Sequence, residues 1–117
     1  MSDEVIDLKE VLERVQDDRE LLLELFDIFI EDYPGKLGAI KQATAKKDFE
    51  ALRDAAHSMK GASGNLSAKK LYAHFLKVEQ LAKTNNMDGM ESLLAEIERA
   101  FSDFKDYAAK FKADFKK

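Results

Sequence analysis

Met90-Glu91-Ser92-Leu93-Leu94-Ala95-Glu96-Ile97-Glu98-Arg99-Ala100-Phe101-Ser102-Asp103-Phe104-Lys105-Asp106-Tyr107-Ala108-Ala109-Lys110-Phe111 decides the fold class of this chain. Within it Met90, Leu94, Ile97, Phe101, Phe104, Ala108 and Phe111 step alternately by four and three. That spacing holds one side of an α-helix and reads as the stripe of a bundle or coiled coil. Upstream, Leu71, Phe75, Val78 and Leu81 supply a facing apolar surface, as do Leu22, Leu25, Phe26 and Phe29. The connections between these segments are short, which favours antiparallel packing. We assign the stripe to burial inside a monomeric bundle rather than to a dimer seam.

The rest of the chain agrees with an all-α fold. A single proline, few β-branched residues and abundant Leu, Ala, Glu and Lys favour helix, because straight side chains and alanine lose least on entering one. Three Asp-x-x-Glu sequences read as helix starts: Asp7 to Glu10, Asp17 to Glu20 and Asp88 to Glu91. Asp48 and Ser67 read as caps of two more. The resulting map has helices at 7–15, 18–33, 48–63, 67–84 and 88–114. Pro34 kinks or ends the second before a segment running to 46, since it lacks the N–H that residue 30 would accept. Thr84-Asn85-Asn86 breaks the last two.

Composition bounds the function. A chain of 117 residues suits one domain, 1–117, with no room for a catalytic domain beside a binding one. At 45% hydrophobic and 36% charged it reads as a soluble globular protein. It has no cysteine, which removes disulfides, thiolate nucleophiles and cysteine-rich zinc sites together. No apolar run approaches the roughly 20 residues that cross a bilayer. Met1-Ser2-Asp3-Glu4 is acidic where a secretory signal is basic, so the expected compartment is the cytoplasm. A net charge of −4 opposes general attraction to nucleic acid or anionic membrane. Lys105, Lys110, Lys112, Lys116 and Lys117 gather near the end, but Asp103, Asp106 and Asp114 interleave with them as on a solvated helix face.

Chemistry concentrates in Ala55-Ala56-His57-Ser58-Met59-Lys60-Gly61-Ala62-Ser63-Gly64-Asn65-Leu66. Phe49, Leu52, Ala56 and Met59 define the buried side of this helix, and His57 falls about 120° from their centre. It should face solvent beside the core. Arg53, Lys60, Gly61 and Gly64 share its sector, making a basic, locally bare stripe on an acidic protein. A glycine inside a helix costs about 1 kcal/mol relative to alanine, so each needs a cause. The end of the helix accounts for Gly64. Gly61, one turn beyond His57, reads as a position cleared for a docking partner.

A free imidazole titrates near 6.5, which leaves one ring nitrogen able to attack phosphorus at neutral pH. Lys60 would then hold phosphoryl oxygens, with Arg53 contributing from the other side. His74, the other histidine, reads as a partly buried packing residue, because no carboxylate or second histidine stands one turn away for a metal. Gly35-Lys36 lacks the upstream glycine and following Ser/Thr of a P-loop, so the chain is not a kinase. A hydrolase built on His57 would lack a nucleophile and an orienting acid.

With Ala56-His57-Ser58-Met59-Lys60-Gly61-Ala62-Ser63-Gly64-Asn65-Leu66, Ala68 and the amphipathic segment through Glu79, the sequence resembles a histidine-containing phosphotransfer (HPt) domain. Leu21 to Pro34, with its terminal Tyr-Pro, resembles that family's long first bundle helix. The resemblance implies an antiparallel four-helix bundle with an additional short N-terminal helix. It implies that His57 accepts a phosphoryl group from a receiver-domain aspartate and passes it to another, as a phosphorelay intermediate of two-component signalling. Lys60 matches the phosphate-stabilising lysine, and Gly61 and Gly64 match small positions that admit the receiver. Response-regulator receiver domains and a hybrid sensor kinase are the implied partners. No cofactor is implied, any magnesium ion belonging to the receiver. Ser67 departs from the pattern, where the family often has glycine. The competing reading is a helical adaptor that binds receivers or other signalling proteins through the same face without being phosphorylated.

Overall fold

The computed structural model describes residues 5–115. The acidic start at 1–4 and the lysines at 116 and 117 lie outside the described residues. Five helices follow one another, and among the described residues there is no strand: α1 Leu8–Arg14, α2 Arg19–Lys46, α3 Phe49–Asn65, α4 Lys69–Lys83 and α5 Met90–Phe115. Helices α2 to α5 form a closed ring of neighbours, α2 against α3, α3 against α4, α4 against α5 and α5 against α2. This is the expected four-helix bundle with a short helix ahead of it.

Asp7 and Asp48 cap as their sequence positions imply, accepting from Glu10 N at 3.1 Å and from Ala51 N at 3.1 Å. The other three expected caps are displaced. Asp17 occupies the left-handed region at φ 63 and closes the α1–α2 turn, its N–H bonding to Leu12 O, so capping falls to Asp18, which accepts from Leu21 N at 2.9 Å. Ser67 is also left-handed, at φ 56, and α4 starts after Ala68 with no side-chain cap. That backbone explains why glycine suits position 67. The serine is held there because its buried hydroxyl donates to Glu10 Oε1 at 2.7 Å. Asp88 gives way to Gly89, whose carbonyl accepts the Leu93 N–H, while the Asp88 N–H bonds to the Asn86 side chain.

Pro34 does not end α2. It sits on the exposed side, and Tyr33, Leu37 and Ile40 are buried on the other, so packing carries the helix past the missing hydrogen bond. In α5 the buried set is Met90, Leu93, Ile97, Ala100, Phe101, Phe104 and Ala108, with Leu94 and Phe111 only partly covered. Leu93 thus replaces Leu94 in the stripe. A straight helix drifts by about 20° per heptad from a strict four–three repeat, so the buried face broadens beyond one seam. On α4, likewise, Ala82 is buried and Leu81 only partly so. Phe26, Phe75 and Phe104 fill the centre, Phe26 meeting Phe104 edge-on at 5.5 Å. Each such burial contributes about 1.5–3 kcal/mol.

Helix α1 is tied to the α3–α4 corner. Its Val11 and Leu12, with Ile6 just ahead of it, join the core, the Asp7 N–H bonds to Ser67 O, and the Arg14 guanidinium donates to Gly64 O at 2.6 Å. This holds in place the end of the helix that carries His57.

Candidate functional site

Helix α3 buries Leu52, Ala56, Met59 and Ser63 and turns His57 outward, with 69% of its side chain exposed. The imidazole thus faces solvent beside the core, as its angle from the buried side of α3 implies. The structure adds a residue the sequence reading missed. Glu79, on α4, is only 4% exposed, and its carboxylate reaches across to α3, with Oε2 2.8 Å from His57 Nδ1 and Oε1 2.7 Å from Lys60 Nζ. Lys83, one turn further along α4, stands 4.0 Å from Oε2.

The charges in this cluster fix its protonation. The Lys60 hydrogen bond holds the Glu79 carboxyl below its ordinary value, burial opposes this, and the His57 bond adds to the lowering. Lys60 is raised in turn by Glu79. An ionised carboxylate only accepts hydrogen bonds, so His57 Nδ1 must carry the proton and donate it. In the neutral imidazole Nε2 then holds the lone pair. A buried acid has selected the tautomer of an exposed base.

The other expected site residues divide. Gly61 is exposed, and a Cβ there would meet nothing within 4 Å, so no contact inside the protein demands a glycine. Gly64 does not end α3, which continues to Asn65; a Cβ at 64 would come within 3.1 Å of the Tyr72 ring. Its glycine reflects the close approach of α4. Arg53 is exposed and lies 3.8 Å from Asp54, outside the His57–Glu79–Lys60 cluster. His74 is half-buried as expected, but a carboxylate from another helix faces it, Glu96 of α5 at 3.8 Å. Among the described residues no cluster of three or more His, Cys, Asp or Glu side chains suits a metal ion.

Glu79 left one trace in the sequence. It falls between Val78 and Ala82 on the side of α4 that Leu71 and Phe75 bury, and a carboxylate in that register calls for a cationic or hydrogen-bonding partner.

On the α2 side of α3 a groove of about 350 Å³ runs between the two helices, with Ser58 and Ala62 on one wall and Leu25 and Ile28 on the other.

A helical bundle presenting one exposed, oriented histidine has the form of a group carrier rather than of an enzyme with an enclosed pocket. The Hpt domain family model matches residues 24–107, and the chain belongs to that family. Its members are phosphoryl carriers of two-component phosphorelays, without an ATP-binding catalytic site. Among solved structures the chain is similar to histidine-containing phosphotransfer protein B (HptB) from Pseudomonas aeruginosa PAO1. The TM-score is 0.80 at 27% identity, over 97% of this chain and 96% of that one. None of the curated proteins compared matches it.

Proposed function

We propose that His57 is the phosphorylated residue, accepting the phosphoryl group of a receiver-domain aspartyl phosphate and passing it to the aspartate of a second receiver. The observation that carries this is the 2.8 Å contact from His57 Nδ1 to Glu79, which leaves Nε2 as the outward nucleophile on a mostly exposed ring. The Nε2 lone pair attacks phosphorus, the N–P bond forms, the P–O bond to the receiver breaks, and the aspartate leaves as a carboxylate. Positive charge gained by the ring is balanced by Glu79 through Nδ1–H. Attack on N–P by the next receiver's carboxylate reverses these changes.

Lys60 neutralises Glu79 in the resting protein and lies one turn from His57, where it can share its charge with phosphoryl oxygens. Exposed Gly61 lets a receiver approach the ring closely; Gly64 and Arg53 flank that approach. The carrier works as a monomer, a reading supported by the burial of Met90, Ile97, Phe101, Phe104 and Ala108 of the α5 stripe inside its own core. Its place is the cytoplasm, with its receivers.

Incubation with a phosphorylated receiver tests this against the adaptor reading. The chain should gain an acid-labile, base-stable phosphoryl label, as a phosphoramidate does. His57→Gln should stay unlabelled with unchanged helical content. A labelled variant removes the assignment to His57, and an unlabelled wild-type chain that still binds receivers favours the adaptor.

A further inference from the structure

Helix α2 carries an apolar face that the bundle does not use. Ile28 is 54% exposed and Leu21 39% exposed, with Leu25 half-buried between them. Steps of four and three place the three on one line of the helix. The line continues into Asp32 and then Lys36, and Leu25, Ile28, Asp32 and Lys36 form the α2 wall of the groove beside α3. Ser58 and Ala62 on the opposite wall stand about 100° around α3 from His57 and Gly61, on the α2 side, while His57 leans towards Glu79 of α4. A receiver that covers the exposed ridge of α3 at Gly61 therefore reaches both the imidazole and this wall.

The two charges at its end are available. Asp32 and Lys36 stand at the i, i+4 spacing that often pairs on a helix. Among the described residues, neither has an ion-pair partner. An unpaired acid and an unpaired base of fixed order, next to an exposed apolar line, discriminate between partners by charge placement. Apolar contact supplies affinity to many surfaces, whereas a like charge set opposite Asp32 or Lys36 penalises the wrong one.

Resting on the phosphotransfer reading, we infer that Asp32 and Lys36 select which receiver engages His57. The favoured receiver lays an apolar patch on Leu21, Leu25 and Ile28, with a basic group opposite Asp32 and an acidic group opposite Lys36. Neither residue takes part in the chemistry.

The test is a charge exchange, Asp32→Lys with Lys36→Asp, read against a panel of phosphorylated receiver domains. Phosphoramidate, a small donor that needs no docking surface, serves as the second phosphoryl source. Both positions are exposed, so helical content and melting should not change. For the best wild-type donor the exchange should raise the receiver concentration at half-maximal rate about tenfold or more, and the order of preference in the panel should change. The saturating rate and phosphoramidate labelling of His57 should stay within about twofold, as uniform binding is lost and chemistry is not. Ile28→Glu should weaken every receiver without reordering them.

An unchanged order of preference in the exchanged variant, with normal labelling by phosphoramidate, overturns the inference and leaves the relay standing. Failure of every receiver and of phosphoramidate to label the wild-type chain overturns the relay itself.

Discussion

Glu79 is buried on one helix and His57 is exposed on another, and the 2.8 Å contact between them joins the interior of the bundle to its reactive surface. Because the acid is ionised, the contact is directional: it orients the ring and keeps the proton on Nδ1. Glu79→Gln retains a carbonyl oxygen able to accept from Nδ1–H but loses the charge that balances the ring and Lys60. It should slow phosphoryl acceptance by about tenfold, the equivalent of about 1.4 kcal/mol of transition-state stabilisation. Glu79→Ala loses the acceptor too, should be slower still, and should cost about 1–3 kcal/mol of stability by stranding its partners. Acceptance rates from one phosphorylated receiver, with urea unfolding of each variant, check both. Equal rates in wild type and Glu79→Ala would make Glu79 a packing residue only.

The same carboxyl gives the fold an acid limit. A group held below its ordinary value in the folded chain contributes stability that is fully present above the unfolded value, 4.5 for this glutamate, and is lost as pH falls through the folded value. Glu79 therefore supports the bundle at neutral pH and fails it in acid, below about pH 4.5. Glu10, lowered chiefly by Lys69, acts in the same direction at the α1–α4 contact. Thermal melts between pH 6 and pH 3 should show a steeper loss for wild type than for Glu79→Gln, the two curves converging towards the acid end.

Which features were legible in the sequence follows from what each depends on. The exposure of His57 depends only on its angle from Leu52, Ala56 and Met59 along one helix, so spacing sufficed. Asp7 and Asp48 cap because the helices they start are set by local pattern. Asp17, Ser67 and Asp88 did not, because caps depend on the backbone of the turn. There Asp17 and Ser67 take left-handed conformations and Gly89, at φ 75, supplies the turn ahead of α5. Glu79 was hidden for a different reason. Its meeting with His57 and Lys60 is set by the rotation of α4 against α3, which no single-helix projection contains. Arg53 shares the sector of His57, but the projection does not say where its long side chain ends, and it ends near Asp54.

The two glycines of α3 should respond differently to alanine. At Gly61 the new Cβ meets open space, and removing a glycine from a helix interior should stabilise the protein by about 0.5–1 kcal/mol. At Gly64 the Cβ presses on the Tyr72 ring at 3.1 Å, and that ring must yield before any gain is realised. Gly64→Ala should therefore be less stable than Gly61→Ala by urea unfolding. Function should rank the other way at position 61: Gly61→Leu should keep the fold yet slow transfer from a receiver, leaving labelling by phosphoramidate intact. Unchanged transfer in Gly61→Leu would remove the close-approach role.

Tyr33 offers the simplest route to a more stable protein. Its ring is 3% exposed and stacks on Phe101 in the core, and its hydroxyl has no hydrogen-bond partner among the described residues. Burial pushes the phenol well above its usual range, so it stays neutral at any working pH. An unpaired buried hydroxyl costs about 1–3 kcal/mol, because the water it bonded in the unfolded chain is not replaced. Tyr33→Phe removes that group and keeps the stacked ring. It should raise stability by about 1 kcal/mol, the lower end of that range, since a small void is left where the oxygen was. The position belongs to the α2–α5 contact, on a different pair of helices from His57 and Glu79, so phosphoryl acceptance should be unchanged. A lower urea midpoint for Tyr33→Phe would mean that the hydroxyl finds a partner in solution, a bridging water being the simplest.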